Sequence, residues 1–276
     1  MVINIECLVS ACIRLNLQYQ FSDENKNLVT VTVGDKKYLF ANAATPFNTD
    51  TQANVFADKG FTHDLLADLE IIPKTLGYPD PSTDSQYQSY VVHKNISKIS
   101  DNILNNFSLP VIIKKNRGYK GVNVFSCDSK EEIQKSLKII FNKDSRDYDY
   151  LALAQDKINI KQEFRAIVFG GVLLLTYFKD NSKAKFTGNL SPLHWQGAKT
   201  VVVSDDNILG QITKLVHTVN SHLPIGFAGL DLAIDQNGKL WLIEINSRPG
   251  FDLFVRDNGK DKIVAMYESI LKKIAI

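Results

Sequence analysis

The amino-acid sequence predicts a chain of the α+β class (α/β in the broader sense), built from antiparallel strand pairs with helices between them. Two observations carry this prediction. Strand-like apolar runs occur in pairs joined by turn residues, at Gly34-Asp35, Gly170-Gly171 and Asn237-Gly238, which is typical of β-hairpins. Between these pairs, apolar residues recur at helical spacing. Strand pairs interspersed with helices favour α+β lobes over a sheet of repeating βαβ units.

Each element follows from its local pattern. Strands are predicted at the short apolar runs, which are residues 28–33, 37–41, 110–115, 122–126, 151–155, 163–169, 172–179 and the two arms of the hairpin around 237–238. Helices are predicted where apolar residues share one helical face, in residues 5–15, 57–70, 133–141, 208–219 and 263–274. Residues 77–88 and 180–195 are polar or proline-bearing and are predicted to be loops.

Composition excludes several classes of protein. Apolar residues make up 44% and charged residues 22% of the 276 residues, as in an ordinary globular protein. A net charge of +2 gives no sign of a nucleic-acid-binding surface. No apolar run has the length of a membrane span, and no leader is recognised. The cysteines Cys7, Cys12 and Cys127 are expected to pack as small apolar residues, which favours a cytoplasmic location.

The hairpin at residues 229–246 carries the strongest chemical signal. A two-residue turn at Asn237-Gly238 places Asp231 opposite Glu244, and Asn246 shares the face of Glu244. The other face is apolar throughout, with the expected pairs Leu230/Ile245, Leu232/Ile243 and Ile234/Trp241.

Two carboxylates directly opposite each other in a sheet repel unless a cation lies between them. Two carboxylates and an amide oxygen suit Mg²⁺, a hard ion that completes its coordination with water and phosphate. The alternative is an ordinary solvated face of a hairpin, and a register slip of one residue would move Asp231 to the other face. We therefore expect a magnesium–nucleotide site formed by Asp231, Glu244 and Asn246.

A second signal is the strand that ends at Lys114, followed by the basic loop 116–121. Lys114 would supply a fixed positive charge, while Gly118 and Gly121 would let the backbone approach phosphate oxygens. A charged surface turn is the alternative. The glycine spacing matches neither a Walker loop nor the dinucleotide fingerprint.

Two further sets of charged residues are candidates for contacts with a bound nucleotide. Glu163 and Arg165 share one face of a strand, where Arg165 would bind phosphate oxygens and Glu163 would accept hydrogen bonds from ribose hydroxyls. The alternative for this pair is a surface ion pair. Arg248 follows Asn246 closely and would lie beside a metal-bound phosphate; the alternative there is a simple turn. No histidine has a Ser or Cys partner at a spacing typical of nucleophilic catalysis.

Taken together, these residues resemble the ATP-grasp superfamily of carboxylate–amine ligases, above all its glutathione-synthetase-like modules. The likeness covers about residues 57–252, from Asp58-Lys59 to Arg248. It implies two α+β lobes that clasp ATP, with a short N-terminal lobe. The implied division is 1–56 for the truncated N-terminal lobe, 57–150 for the first ATP-grasp lobe and 151–276 for the second.

The resemblance also implies a role for each matching residue. The ATP-binding set would be Lys59, Lys114, Arg117, Gly118, Gly121, Gln155, Asp156, Ile158 and Glu163. Asp231, Glu244 and Asn246 would bind the metal, and Arg165, Arg248 and the substrate-loop residue Asn189 would be catalytic. The chain departs from the family at Lys115, where proline is usual, at Gln155, where glutamate is common, and in its short N-terminal segment.

The implied function is an ATP-dependent ligase that forms an amide bond through an acyl phosphate. The cofactors would be ATP and Mg²⁺, with Mn²⁺ as a substitute, and the substrates an amino acid or short peptide that supplies a carboxylate or an amine. Nucleic acid and membrane are not expected as partners, whereas a homodimer would complete the short first lobe. The alternatives are an ATP-grasp kinase acting on a small molecule and a non-catalytic ATP-binding subunit.

Overall fold

A computed structural model describes residues 1–118, 121–185 and 195–275 of the chain. The helices in these residues are α1 (Ile3–Arg14), α2 (Asp50–Ala57), α3 (Lys59–Leu66), α4 (Ile96–Asn106), α5 (Lys130–Ile140), α6 (Asp206–His222), α7 (Asp252–Asn258) and α8 (Asp261–Ile274). Short 3₁₀ helices cover Ala67–Leu69 and Ser85–Tyr90. No helix of the described residues is long and apolar enough to span a membrane.

Three antiparallel sheets accompany these helices, and the mixed α+β class predicted from the sequence is confirmed. The first sheet contains β1 (Tyr19–Phe21), β2 (Leu28–Val33) and β3 (Lys36–Ala41). The second contains, in spatial order, β4 (Thr75–Pro79), β7 (Leu151–Asp156), β5 (Val111–Lys115) and β6 (Val124–Cys127). The third has the order β10 (Lys199–Val202), β9 (Val172–Asp180), β8 (Ile160–Phe169), β11 (Phe227–Asp235) and β12 (Leu240–Asn246).

The five-stranded sheet is covered on both faces because alternate residues of its central strands point to opposite sides. Phe164, Ala166 and Val168 of β8 pack in one apolar core with residues of α2, α3 and α6. On the other face, Ile167 and Phe169 pack in a second core with residues of α1, α7 and α8. Nearer the start of β8, this second face carries Glu163 and Arg165 instead. The same face therefore changes from apolar to charged along the strand.

The four-stranded sheet has its own apolar core. Val111 and Ile113 of β5 are fully buried against Ile99 and Ile103 of α4, and Leu137 of α5 belongs to the same core. The sheet and the two helices thus form a unit beside the five-stranded sheet. The segment between β7 and β8, residues 157–159, connects the two sheets directly.

The N-terminal segment packs on the C-terminal part of the chain. Val29, Val31 and Phe40 of its hairpin are buried in one core with Ile270 and Leu271 of α8. The cysteines of this chain are free and buried, so the prediction that they pack as small apolar residues is confirmed. Burial raises the pKa of Cys7 and of Cys12 to about 11, which keeps both thiols protonated and unreactive.

The turn of the hairpin formed by β11 and β12 differs from the prediction. The backbone N–H of Asp235 donates to the carbonyl of Lys239 at 3.0 Å, so three residues lie in the loop and not two. Gly238 adopts a φ of +84°, which is the left-handed conformation expected at the end of a three-residue loop.

A bulge between Asp231 and Leu232 compensates for the longer turn. The predicted pairs Asp231/Glu244 and Leu230/Ile245 are present, whereas the pairs predicted nearer the turn are wrong: Leu232 faces Leu242 and Ile234 faces Leu240. The bulge restores the register just before the carboxylates, because it adds one residue to β12 after the turn has shifted the pairing by one.

The helix predicted over residues 57–70 corresponds to α3, Lys59–Leu66, and the 3₁₀ helix Ala67–Leu69, whereas Ala57 is the last residue of the preceding helix α2. The carboxylate of Asp58 accepts a hydrogen bond from the backbone N–H of Phe61 at 3.0 Å and caps the start of α3. Its backbone is extended, so α2 ends at Ala57. A capped junction of this kind ends one helix and begins another, and it places Lys59 in the first turn of α3.

Other boundaries were also wrong or missed. Residues 77–79, predicted as loop, belong to β4, where Pro79 is tolerated because β4 lies at the edge of its sheet. No element was predicted where α2, α4, α7, β1 and β10 form. The strands β1 and β10 have only 3 and 4 residues and carry too little periodicity for the sequence to predict them. The helix α4 begins after Asn95, whose side chain accepts a hydrogen bond from the backbone N–H of Lys98.

The strand β7 bears on the lobe boundaries. The resemblance implies a second ATP-grasp lobe of residues 151–276, but β7 (Leu151–Asp156) pairs with β4 and β5 in the four-stranded sheet. We therefore propose that the boundary between the two lobes lies in residues 157–159. The separate N-terminal lobe of residues 1–56 stays a prediction, and the segment shares its core with α7 and α8.

Candidate active site

A row of charged side chains crosses one face of the five-stranded sheet. Asp231 of β11 pairs with Arg165 of β8 on one side and with Glu244 of β12 on the other. Glu163 lies two residues from Arg165 and therefore on the same face. Lys179 of β9 reaches the row from the next strand, with its Nζ 2.8 Å from Glu163 Oε2. The sheet register thus brings cations and carboxylates from four neighbouring strands together.

The centre of this row is a paired ionic cluster. Arg165 donates from Nε to Asp231 Oδ1 at 2.8 Å and from Nη2 to Asp231 Oδ2 at 2.7 Å. Lys179 Nζ lies 3.2 Å from Asp231 Oδ1. The side chains of Arg165, Lys179 and Asp231 expose only 14%, 6% and 17% of their surface. Charges this deeply buried require partners, and here each has one.

The cluster fixes the ionisation of its members. Burial by itself would raise the pKa of Asp231, but the charges of Arg165 and Lys179 outweigh it and lower that pKa to about 2. Burial by itself would lower the pKa of Lys179, but the charges of Asp231 and Glu163 raise it above its ordinary value. Arg165, Lys179 and Asp231 therefore remain charged at neutral pH.

Glu244 has a looser environment than Asp231. Its Oε1 lies 3.6 Å from Nζ of Lys59, which is an ion pair without a hydrogen bond. Lys59 donates instead to the backbone carbonyl of Gly118 at 2.9 Å. Two residues further along β12, Asn246 accepts through Oδ1 from the backbone N–H of Arg248 at 2.9 Å, and the side chain of Arg248 is exposed. Glu244 is therefore the carboxylate that is open to an added cation.

The facing lobe contributes a second buried lysine. Lys114 Nζ donates to Gln155 Oε1 at 2.8 Å, and Gln155 Nε2 donates to Thr75 Oγ1 at 2.8 Å. The amide orientation of Gln155 follows from these two partners. Burial and the neighbouring charge of Lys59 lower the pKa of Lys114 to about 8, against the opposing effect of Glu244. Lys114 is thus a lysine whose charge is sensitive to pH near neutrality.

The narrow cleft between the lobes is lined by both lysines. Lys59, Lys114, Gln155 and Glu244 border it, together with His63, whose Nε2 accepts from the backbone N–H of Thr75 at 3.2 Å. The free space is about 10 Å³, which holds about one water molecule. The cleft as it stands therefore has no room for a ligand larger than water.

The connection between the lobes lies beside this cleft. The backbone N–H of Asp156 donates to the carbonyl of Lys74 at 3.0 Å, and Ile158 is half-buried in the connecting segment. Gln155, Asp156 and Ile158 thus lie at the connection between the two sheets, and their assignment to ATP binding stays a prediction.

The loop after β5 is anchored at its base by acidic residues. The backbone N–H of Arg117 donates to Asp149 Oδ2 at 2.6 Å, and its guanidinium Nε lies 3.4 Å from Asp58 Oδ2. Lys115 pairs with Asp147 at 2.8 Å. Gly121 has a φ of +69°, a conformation that favours glycine. Residues 119 and 120 of this loop lie outside the described residues.

The donors present fit a magnesium ion. Asp231 and Glu244 lie opposite each other, and the amide oxygen of Asn246 is on the same strand as Glu244. These are hard oxygen donors of the kind that Mg²⁺ prefers. No group of three or more His, Cys, Asp or Glu that could hold a metal occurs in residues 1–118, 121–185 and 195–275, so the fit rests on two carboxylates and one amide.

The structure brings together most of the predicted site. Lys59, Lys114 and Glu244 line the cleft, and the base of the loop with Arg117 and Gly118 adjoins it through Lys59. Glu163, Arg165 and Asp231 lie in the charged row of the five-stranded sheet, which meets the cleft at Glu244, opposite Asp231, and Asn246 follows Glu244 on β12. Arg248 is tied to Asn246 through its backbone only. Asn189 lies outside the described residues.

Lys179 was missed by the sequence argument. It follows Tyr177 by two residues, and Tyr177 lies opposite Arg165, so the two-residue alternation of a strand carries the signal. A bulge between Ile167 and Val168 shifts the register of this hairpin by one. Without that bulge, the turn at Gly170-Gly171 would place Glu163 opposite Phe178, and for this reason the turn alone did not indicate Lys179.

Comparison with known proteins gives a consistent result. The chain matches the RimK-like ATP-grasp domain family over residues 65–270. It is 27% identical over 186 residues to N-acetylaspartylglutamate synthase A of Homo sapiens, an alignment that covers 64% of this chain and 41% of that protein. It is 48% identical over 44 residues to the endospore coat-associated protein YheD of Bacillus subtilis, covering 15% and 10% of the two chains. The chain thus spans about two fifths of the length of the first of these relatives.

Solved structures show the same fold. VanG D-Ala:D-Ser ligase from Enterococcus faecalis superposes with a TM-score of 0.59 at 16% identity, covering 82% of this chain and 64% of that one. A bifunctional glutathione synthetase from Pasteurella multocida gives a TM-score of 0.57 at 14% identity, covering 98% and 44%. At these identities the likeness concerns the fold.

Proposed function

The chain belongs to the RimK-like ATP-grasp family, and on that premise we propose that it is an ATP- and Mg²⁺-dependent carboxylate–amine ligase. The proposed reaction forms an amide bond between an amino acid or short peptide and a second substrate. The carboxylate oxygen attacks the γ-phosphorus of ATP, which gives an acyl phosphate and ADP. The amine then attacks the acyl carbon, phosphate leaves, and the amine loses a proton.

One observation supports this proposal above the others: cations from both lobes lie around the paired carboxylates Asp231 and Glu244. Lys59 and Lys114 approach from α3 and β5, and Arg165 and Lys179 lie on the five-stranded sheet beside Asp231. Phosphoryl transfer depends on charge neutralisation and alignment more than on covalent help from the protein. Four cations at fixed positions supply both.

Asp231, Glu244 and Asn246 would hold the metal ion. When bound, Mg²⁺, or Mn²⁺ in its place, would neutralise negative charge on the β- and γ-phosphates. Asp231 is already paired with Arg165 and Lys179, whereas Glu244 has only the longer contact with Lys59. We infer that Glu244 is the ligand most available to the ion.

The remaining residues would bind the nucleotide, hold the transferred phosphate and exclude water from the acyl phosphate. Gln155, Asp156 and Ile158 would contact the adenine as the lobes open, and Glu163 would accept from the ribose hydroxyls. Arg165 and Lys179 would bind oxygens of the transferred phosphate, and Arg248 would stabilise charge at the acyl phosphate. The loop with Arg117, Gly118 and Gly121 would close over the site, because an acyl phosphate hydrolyses if water enters.

The substrate class follows from the relatives and remains a proposal. The names of N-acetylaspartylglutamate synthase A, VanG D-Ala:D-Ser ligase and the glutathione synthetase each describe the joining of amino-acid units. An amino acid or short peptide as carboxylate or amine donor agrees with all three. Use of ATP, together with free buried cysteines, agrees with a location in the cytoplasm, and a homodimer stays a prediction.

The test is ADP release from ATP and Mg²⁺ in the presence of pooled amino acids and short peptides, with product masses read in parallel. The expected result is ADP formation that needs two compounds, with a product lighter than their sum by one water. A phosphorylated single compound would show a kinase instead, and ATP binding without turnover in every pool would contradict the ligase.

Two variants connect that activity to this site. Glu244→Gln is expected to abolish turnover, because it removes the charge of the more open metal ligand. Glu131→Gln is the matched control, since Glu131 lies in the first turn of α5, on the helix that packs against the four-stranded sheet. Turnover retained in Glu244→Gln would show that the activity belongs to another site or to a contaminant.

A further inference from the structure

The residue Asn4 of α1 is an unusual polar side chain in an apolar core. It is 4% exposed and lies among buried residues such as Ile5 and Leu8. Its Nδ2 donates to the carbonyl of Pro249 at 2.9 Å, and its Oδ1 accepts from the backbone N–H of Phe251 at 3.3 Å. A buried amide is tolerated where both of its polar ends are bonded. Here both ends bond to the same short segment, about 245 residues away in sequence, and the amide also forms a hydrogen bond with the side chain of Tyr267 in α8.

That segment carries a residue of the proposed active site. Arg248 lies directly before Pro249, and its backbone N–H is held by Oδ1 of Asn246. On the other side of Gly250, Phe251 is fully buried and begins the approach to α7. Residues 246–251, which we call the Arg248 segment, are thus fixed at three points: Asn246 at one end, Asn4 in the middle and the core contact of Phe251 at the other end.

Asn4 joins the two backbone groups that flank Gly250. Gly250 lacks a side chain that could pack, and its backbone would otherwise be free to rotate. A segment held only at its ends would let Arg248 take several positions, since the Arg248 side chain is exposed. The carboxamide of Asn4 acts in the way that a neighbouring β-strand would, by giving one acceptor and one donor to an otherwise irregular backbone.

We propose that Asn4 is a positioning residue that fixes Arg248 relative to the metal-ligand strand β12. The proposal rests on the proposed function in assigning Arg248 to the reaction. It gives the helix α1 an indirect part in the reaction. None of the contacts described above for the charged row of the five-stranded sheet involves residues 1–49. Removal of the amide is expected to displace Arg248 without displacing Asp231 or Glu244, which are held by the sheet.

The experiment is a double-mutant cycle on the full chain with Asn4→Leu and Arg248→Ala. Leucine has the same number of side-chain heavy atoms as asparagine and the same branch at Cγ, but neither polar group. In the wild-type background, Asn4→Leu is expected to lower kcat by about tenfold to a hundredfold, as a misplacement of about 1 Å does, while the Kd for Mg–ATP stays within about twofold. In the Arg248→Ala background, Asn4→Leu is expected to have no further effect on kcat, because both changes remove the same interaction.

A control distinguishes positioning from a general loss of stability. Leu8→Ala removes a buried side chain of the same helix and is expected to lower the melting temperature while leaving kcat unchanged. Equal losses of kcat in Asn4→Leu and Leu8→Ala, or full additivity of Asn4→Leu with Arg248→Ala, would overturn the proposal.

Hydrogen exchange tests the positioning role even if no ligase activity is found. The amide of Phe251 is expected to exchange at least about tenfold faster in Asn4→Leu, since its acceptor is lost, and Arg248 is expected to react with phenylglyoxal at a changed rate. Absence of any amide product in the wild-type protein would refute the proposed function alone. Unchanged exchange at Phe251 and unchanged reactivity of Arg248 would refute the role of Asn4.

Discussion

Arg165 and Asp231 lie opposite each other on neighbouring strands and form a two-point ion pair, with Nε–Oδ1 and Nη2–Oδ2 distances of 2.8 and 2.7 Å. The carboxylate that the sequence predicts as a metal ligand is therefore already neutralised by the protein. Glu244, its partner on the next strand, has no such hydrogen bond to its cation, which lies 3.6 Å away. We therefore expect Asp231 to contribute more than Glu244 to the free energy of unfolding.

The first prediction tests this difference. Asp231→Asn removes the charge that holds Arg165 and Lys179, and breaking a buried pair costs about 3–5 kcal/mol. Glu244→Gln removes a looser pair and is expected to cost about 1 kcal/mol or less. Both variants should lose turnover, and denaturant unfolding measures the difference in stability. Equal unfolding free energies for the two variants would show that the Asp231 cluster stabilises the fold no more than the looser Glu244 pair does.

The second prediction concerns Lys179. Lys179→Met keeps the length of the side chain but leaves Glu163 and Asp231 with one partner fewer, so the Kd for Mg–ATP is expected to rise by about tenfold or more from the loss of one desolvated charge pair. Lys183→Met, a change at an exposed lysine beyond the end of β9, serves as the control. Isothermal titration with Mg–ATP measures both. Unchanged affinity in Lys179→Met would exclude this residue from nucleotide binding.

The third prediction is a pH dependence that arises from Lys114. Its pKa is lowered from its ordinary value to about 8, chiefly by burial. As pH rises above about 8, the folded protein loses this charge while an unfolded chain retains it, so folding becomes more favourable up to the ordinary pKa of lysine. ATP affinity changes in the opposite direction, and Kd is expected to rise by roughly tenfold for each pH unit above about 8.

Two variants test that assignment. Lys114→Arg keeps its charge at all accessible pH values and is expected to remove the bend in the profile of Kd against pH. Gln155→Glu places a carboxylate where Gln155 now accepts from Lys114 at 2.8 Å, and it is expected to move the bend to higher pH. A bend near pH 8 that persists in Lys114→Arg would assign the titration to another group.

The central hairpin shows what the sequence could and could not predict. The opposition of Asp231 and Glu244 was predicted from a two-residue turn, yet the turn has three residues and a bulge restores the register. The prediction of the pair was correct because two deviations cancel. An alternation pattern specifies which residues share a face, whereas the position of a bulge depends on packing between distant elements.

For the same reason, local sequence patterns could not predict the contacts of Lys179 and Asn4. Lys179 reaches Glu163 across a bulge in the hairpin, and Asn4 bonds to a segment at the other end of the chain. Both depend on how sheets and helices pack in three dimensions. By contrast, Lys59, Lys114 and Arg165 were found because each lies at a strand or helix position that the motif order of a family specifies.

The last prediction concerns the glycine beneath the ion pair. A Cβ added to Gly229 would lie 3.1 Å from Cδ and from Nη1 of Arg165 and 3.0 Å from Cβ of Pro249. Because Pro249 is buried, Arg165 has to move, and Gly229→Ala is expected to lower kcat by about tenfold or more. Gly210→Ala is the matched control: a Cβ there meets no atom within 4 Å, and alanine should stabilise α6 by about 0.5–1 kcal/mol. Turnover measured beside thermal unfolding separates the two effects. If Gly229→Ala kept full turnover, the position of the Arg165 guanidinium over Gly229 would not matter to the reaction.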